Sequence, residues 1–367
     1  MKKIAIICFT VFISTVPYAQ RIPAESVDYP WHLLEQGKVA YEGREFGKAL
    51  LLFRQAREMR KTQVAAQYDY LFSALKAPQV RAAGDLISDV YRVLENRQDY
   101  EACAILDRIF LTHPPAYFDK SISALLTWFN MSGVYPECDY LIGKVYELEG
   151  ELRQSRRFYQ SAWEAREFLY IPDMRFEIIY SLAQISGLLK QYDDQEKYLL
   201  LILTEDSVYG TTNVESATLR AMIHTIKNEQ TVEKFFSLYR HHNDIALRAY
   251  IELTDIYLHA EEYDRAFRTA LLGADIAVTY LSDTLKRVDF LYTYSDFSDL
   301  LLRVGMNNEV LQLTETKQIW NVFLQFADLL YRQGFTVQAS DLYHKLAEHC
   351  PSFTYAKEAS YKLSRIF

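Results

Sequence analysis

The amino-acid sequence predicts an all-α protein in which antiparallel helix pairs stack side by side into a superhelical solenoid. Three observations predict it. Glycine (12) and proline (9) together make up about 6% of the 367 residues, roughly half their usual share and too few turn formers for a sandwich, a propeller or a disordered tail. Half of the residues are hydrophobic, yet the chain exceeds the roughly 250–300 residues at which a single core stops growing. A spacing of small and aromatic residues then returns along the chain, as it does in repeat architectures.

The N-terminus comes first. Lys2 and Lys3 precede the apolar stretch Ile4–Val16, and Pro17, Tyr18 and Ala19 offer a small residue for cleavage before Gln20. That is the layout of a bacterial Sec signal peptide, too short to span a bilayer. The expectation is therefore a leader over residues 1–19 and an exported chain, in the periplasm or cell envelope, that is not an integral membrane protein. The formal charge of -8 grows more negative once the two lysines leave. An acidic chain lacks the basic face that nucleic acid rewards.

The repeated element starts at Gly37, where an apolar helix runs into a turn at Gly43–Phe46 and then to Ala49, Phe53 and Ala56. Small residues at those places let two helices approach, and the aromatic fills the space beside them. The arrangement returns at Gly143, Gly150, Ser155, Tyr159 and Ala162, and in part at Tyr250, Leu253, Tyr257, Tyr263, Ala266 and Ala270. It returns again at Gly334, Ala339, Tyr343 and Pro351. Weaker copies run through Ile179, Leu182, Ala183, Tyr192 and Leu199, and through Leu86, Val90, Val93, Ala102, Leu106 and Pro114. The second-helix small positions are thus Ala49, Ala102, Ser155, Gln195, Ala266 and Ala339, of which Gln195 is not small. Their unequal spacing leaves room for degenerate copies near Thr218–His241 and Tyr292–Leu313, and for extra helices in the first third. About nineteen helices are expected.

This pattern resembles the tetratricopeptide repeat, with its small residue, aromatic and closing proline at fixed offsets. The resemblance covers residues 28–367, with irregular repeats over 28–135, more regular ones over 136–350 and a capping helix over 352–367. It implies that the first helix of each pair lines a groove for an extended peptide or a partner's helix. Carried over position by position, the groove holds Trp31, Leu34, Lys38 and Tyr41, then Tyr140, Lys144 and Glu147. Ile251, Asp255 and Leu258 follow, and finally Leu324, Asp328 and Tyr331. The lysine–asparagine clamp of chaperone-binding members is missing.

Residues with chemistry of their own are sparse. No phosphate-binding glycine loop and no G-x-S-x-G elbow occur. His241 and His242 are adjacent, so on a helix they point about 100° apart and cannot chelate one ion from a single face. They are expected to close a helix. Phe290, Tyr294 and Phe297 are spaced for helix packing. Cys103, Cys138 and Cys350 remain after the leader and form no C-x-x-C, so three free thiols are expected; Cys103 and Cys138 are the sole plausible pair. The expectation is a non-enzymatic interaction scaffold without cofactor or metal. The alternative is a transport-associated module holding a small ligand in the hollow of the solenoid.

Overall fold

A computed structural model describes residues 29–75, 86–118, 122–204, 206, 210–211 and 214–366; the expected leader, residues 1–19, lies outside them. The helices are α1 (Pro30–Glu42), α2 (Phe46–Leu75), α3 (Leu86–Asn96), α4 (Tyr100–Thr112), α5 (Ile122–Met131) and α6 (Pro136–Leu148). Next come α7 (Leu152–Glu164), α8 (Met174–Leu188), α9 (Tyr192–Leu203), α10 (Ala217–Asn228), α11 (Glu233–Leu238) and α12 (Asp244–His259). The rest are α13 (Tyr263–Val288), α14 (Phe297–Gly305), α15 (Asn308–Thr316), α16 (Ile319–Arg332), α17 (Thr336–His349) and α18 (Phe353–Leu363). Among the described residues that is eighteen α-helices, and the extended structure is one antiparallel pair of two-residue strands, Gly210–Thr211 with Val214–Glu215.

The expected helix pairs are present. α1/α2, α6/α7, α8/α9, α12/α13 and α16/α17 pack within themselves. Each meets the next through α2–α6, α7–α8, α9–α12 and α13–α16, and α18 packs on α16 and α17. Proline opens two first helices, Pro30 in α1 and Pro136 in α6, where its missing N–H costs nothing.

One turn is used throughout. Arg44, Gln98, Gly150, Lys190, Glu261 and Gly334 each have φ between 59° and 82°, the left-handed residue that closes a helix. The next amide then reaches back to a carbonyl five residues earlier, as Glu45 to Ala40 (2.8 Å), Glu262 to Tyr257 (2.8 Å) and Phe335 to Leu330 (2.9 Å). Five residues beyond the left-handed one stand Ala49, Ser155, Gln195, Ala266 and Ala339, so the five pairs share one register. In the α3/α4 pair the buried small residue is Ala102, one place earlier, and this pair joins a separate core.

Volumes across each pair are matched. A Cβ on Gly37 would stand 2.5 Å from the Phe53 ring. At the same sixteen-residue offset the other pairs set Gly143 with Tyr159, Ala183 with Leu199, Thr254 with Ala270 and Ala327 with Tyr343. A small partner thus accompanies each ring, and the larger Thr254 accompanies alanine. The oversized Gln195 is accommodated by Gly187, where a Cβ would be 2.8 Å from its Oε1.

Inserted helices account for the uneven spacing. α2, at 30 residues about 45 Å long, outruns its partner, and its far half packs on α3 and α5 around Val64, Leu71, Val90, Leu94 and Phe129. The 26-residue α13 likewise outruns α12 and packs on α14 and α15. α10/α11 and α14/α15 fall where degenerate copies were expected, but neither uses the left-handed turn. They assemble around rings instead: Phe236 lies 4.8 Å from Phe297, and Phe235 6.0 Å from Phe326, centroid to centroid.

Two expectations are corrected. His241 and His242 do not close a helix, since α11 has already ended at Leu238 and Asn243 caps the start of α12 through Ala246 N–H (3.2 Å). His241 is instead buried, its Nε2 2.9 Å from Asp206, and its amide donates to Thr279. Phe290 is 87% exposed because residues 289–296 are non-helical and the spacing there has no helix to act on. Among the described residues the three cysteines are free, no helix is long and apolar enough to cross a membrane, and no side-chain group is arranged to hold a metal ion.

Candidate functional site

Side chains at several of the predicted first-helix positions link neighbouring pairs. Lys144 Nζ lies 3.3 Å from Glu147, which also receives the Tyr159 hydroxyl (2.5 Å) and, from α8, Gln184 Nε2 (3.0 Å). Gln184 Oε1 in turn faces Arg248 Nη2 of α12 at 3.4 Å. Asp255 accepts from Gln325 of α16 (2.5 Å). Asp328 accepts the Tyr343 hydroxyl and binds Lys362 of α18 at 2.6 Å.

Other groove candidates fall into three situations. Tyr140 is buried, its ring 5.5 Å from Tyr159, and burial pushes its phenol up to about 12. It is a packing residue, not a surface one. Tyr41 is half-buried beside Phe46 (6.1 Å), its phenol raised by burial and by the charge of Glu147. Trp31, Lys38 and Tyr331 meet solvent; Trp31 stacks toward Tyr29 at 6.4 Å, and Lys38 pairs with Glu35 at 2.7 Å.

Beside the C-terminal members of this set is a cleft of about 850 Å³ between α16, α17 and α18. Asp328, Tyr331, Arg332, Tyr361, Lys362 and Arg365 stand around it. Lys362 pairs with Asp328 and also with Glu358 (3.1 Å), so Arg332 and Arg365 leave one positive charge in excess beside the exposed rings of Tyr331 and Tyr361. Arg332 lies on Tyr263 (4.8 Å) and Arg365 on Tyr361 (5.4 Å). The groove pattern carries Asp328 and Tyr331 to this place. Tyr361 belongs to the pattern of the capping helix and Arg365 follows it; the cap has no groove register, so neither is marked as a binding residue.

No family model matches the chain. It is 45% identical over 335 residues to an uncharacterized protein of Treponema pallidum (strain Nichols), covering 91% of this chain and 90% of that one. The chain belongs to the same family. A second uncharacterized protein, from Borreliella burgdorferi, is 21% identical over 264 residues, 66% of this chain and 79% of its own.

Proposed function

We propose that this chain is an exported, non-enzymatic tetratricopeptide-like solenoid that holds an extended, acidic segment of a partner protein along its first-helix row. The common turn and the matched small and large residues in five pairs support the repeat assignment. The layout of residues 1–19 supports the address. The C-terminal cleft carries the binding reading: two exposed tyrosines between arginines that lack a carboxylate partner among the described residues. Rigid amphipathic rings beside arginine are what protein interfaces use as anchors.

The test is affinity capture from envelope extracts, comparing the tagged wild type with a Tyr331→Ala/Tyr361→Ala/Arg365→Ala variant. The variant should lose the captured partner while its melting temperature stays within the range of ordinary surface substitutions, about 0.5 kcal/mol each. Unchanged capture would refute the cleft, and a Lys38→Ala/Trp31→Ala variant then asks whether the opposite end of the row binds.

A further inference from the structure

Arg60 is out of place. It sits on the buried face of α2, in line with Ala49, Phe53, Ala56 and Val64, and is 3% exposed. Its Nε donates to the Ser132 carbonyl (3.2 Å) and its Nη1 to the Tyr170 hydroxyl (2.5 Å). Its guanidinium lies 5.3 Å from the rings of both Tyr135 and Tyr170. Arg108 of α4 reaches the same ring, 3.5 Å from the Tyr170 centroid. Two guanidiniums thus share one tyrosine, and burial together with the Arg60 charge lowers the proton affinity of Arg108.

Neither cation has a carboxylate within ion-pair distance among the described residues, and nor does Arg166. Glu137, whose charge both guanidiniums feel, is buried and makes no ion pair with either. Its Oε1 takes the Tyr170 amide (2.5 Å), its Oε2 has no hydrogen-bond partner, and burial raises its pKa. Arginine cannot shed its proton, and a guanidinium is rich in donors with no acceptor of its own. Withdrawing like charges from water without an ion-paired counter-charge is costly. An anion would relieve it.

The space for one is present. Arg60, Arg108, Arg166 and Arg175 line a cavity of about 400 Å³, with Trp128 and Phe168 as apolar lining and Glu167 as the one carboxylate among the lining residues. That volume is within the usual range for small-molecule sites, about 300–1,000 Å³. None of the predicted first-helix positions lines it, so it is independent of the partner cleft. We infer that this cavity binds a small organic anion, its carboxylate or phosphate head held by Arg60 and Arg108 and its apolar body against Trp128 and Phe168. Guanidiniums suit both heads, because each oxyanion accepts paired N–H donors.

The experiment is calorimetric titration of the full chain with phenyl phosphate, benzoate, inorganic phosphate and benzyl alcohol, each also followed by tryptophan fluorescence. Phenyl phosphate or benzoate should bind one-to-one, at least about tenfold more tightly than inorganic phosphate or benzyl alcohol, and the stronger of the two identifies the head. Arg108→Met should weaken that binding at least about tenfold without lowering the melting temperature of the free protein, since it removes a charge that lacks an ion-paired counter-charge. Arg166→Gln gives a second variant of the same sense. Failure of both organic anions to bind at millimolar concentration would overturn the inference. So would binding that survives both substitutions, or inorganic phosphate binding as tightly as the esterified form.

Discussion

Gly143 lies so close to the ring of Tyr159 that a Cβ on residue 143 would stand 2.6 Å from two of the ring carbons. The ring cannot swing clear, because its hydroxyl is held by Glu147 at 2.5 Å. Gly143→Ala should therefore overpack the α6/α7 pair and cost about 1–3 kcal/mol, with Gly37→Ala behaving likewise against Phe53. Gly47, in α2, has nothing within 4 Å of its missing Cβ. Gly47→Ala should stabilise by roughly 0.5–1 kcal/mol through helix propensity alone. Urea denaturation of the three variants gives the ordering.

The common turn makes a second prediction with opposite signs at equivalent places. Lys190 and Glu261 hold φ near 60° without being glycine, at a cost of about 1–2 kcal/mol each. Lys190→Gly and Glu261→Gly should each recover about half of that, since glycine loses more chain entropy on folding, about 0.5–1 kcal/mol. Gly150→Ala and Gly334→Ala should lose about 1 kcal/mol, although neither Cβ would touch anything. If all four changes are neutral, the turn is not the shared device described above.

Asp275 gives the pH dependence. It is fully buried in α13, neither carboxylate oxygen has a hydrogen-bond partner, and burial raises its pKa from 3.8 to about 6 against the weaker pull of His241, Arg240 and His242. A folded-state value above the unfolded one stabilises fully below about pH 4, and the contribution is lost as pH rises through about 6. Asp275→Asn should remove that loss. The stability of the variant relative to wild type should climb between pH 4 and pH 7 by up to about 3 kcal/mol, read as the difference between paired urea titrations at each pH.

Thiol titration tests both packing and processing. Cys138 and Cys350 are buried, and burial pushes Cys350 up to about 11, whereas Cys103 is half-exposed. Ellman's reagent should modify Cys103 alone in the native protein, and slowly, since burial and the charges of Glu95, Asp107 and Asp99 raise its thiol. Denatured protein recovered from the envelope fraction should show three thiols, and a fourth would be Cys8 of a retained leader.

What the sequence made legible follows distance along the chain. Gly37, Ala49 and Phe53 meet within one pair, so their offsets alone announce the packing, and the same holds for Gly143 with Tyr159. The Gln195 exception is local as well, once Gly187 is counted. Arg60 lies on α2, Arg108 on α4 and Tyr170 in the connection before α8, and no offset connects them. Tyr140 occupies a groove register yet is buried, because α8 packs over the α6/α7 pair. His241 was misplaced for a similar reason: its partner Asp206 lies 35 positions upstream, beyond any helical period.

The contact between α10 and α17 sets an order of events during synthesis. The side-chain amide of Gln338 donates to the carbonyls of Ile226 (3.0 Å) and Glu229 (2.6 Å), closing the end of α10 with a residue 112 positions further on. At roughly 5–20 residues per second of translation, those carbonyls wait about 6–22 seconds for their donor. α1 and α2 meet as soon as both have left the ribosome. The aromatic layer around Phe235 and Phe236 stays open to water and to chaperones until α16 and α17 arrive. The half of the molecule that carries the cleft is therefore completed last, and a chain truncated before residue 338 would leave the end of α10 without its donor while α11 kept Phe297 and Phe326 to pack on.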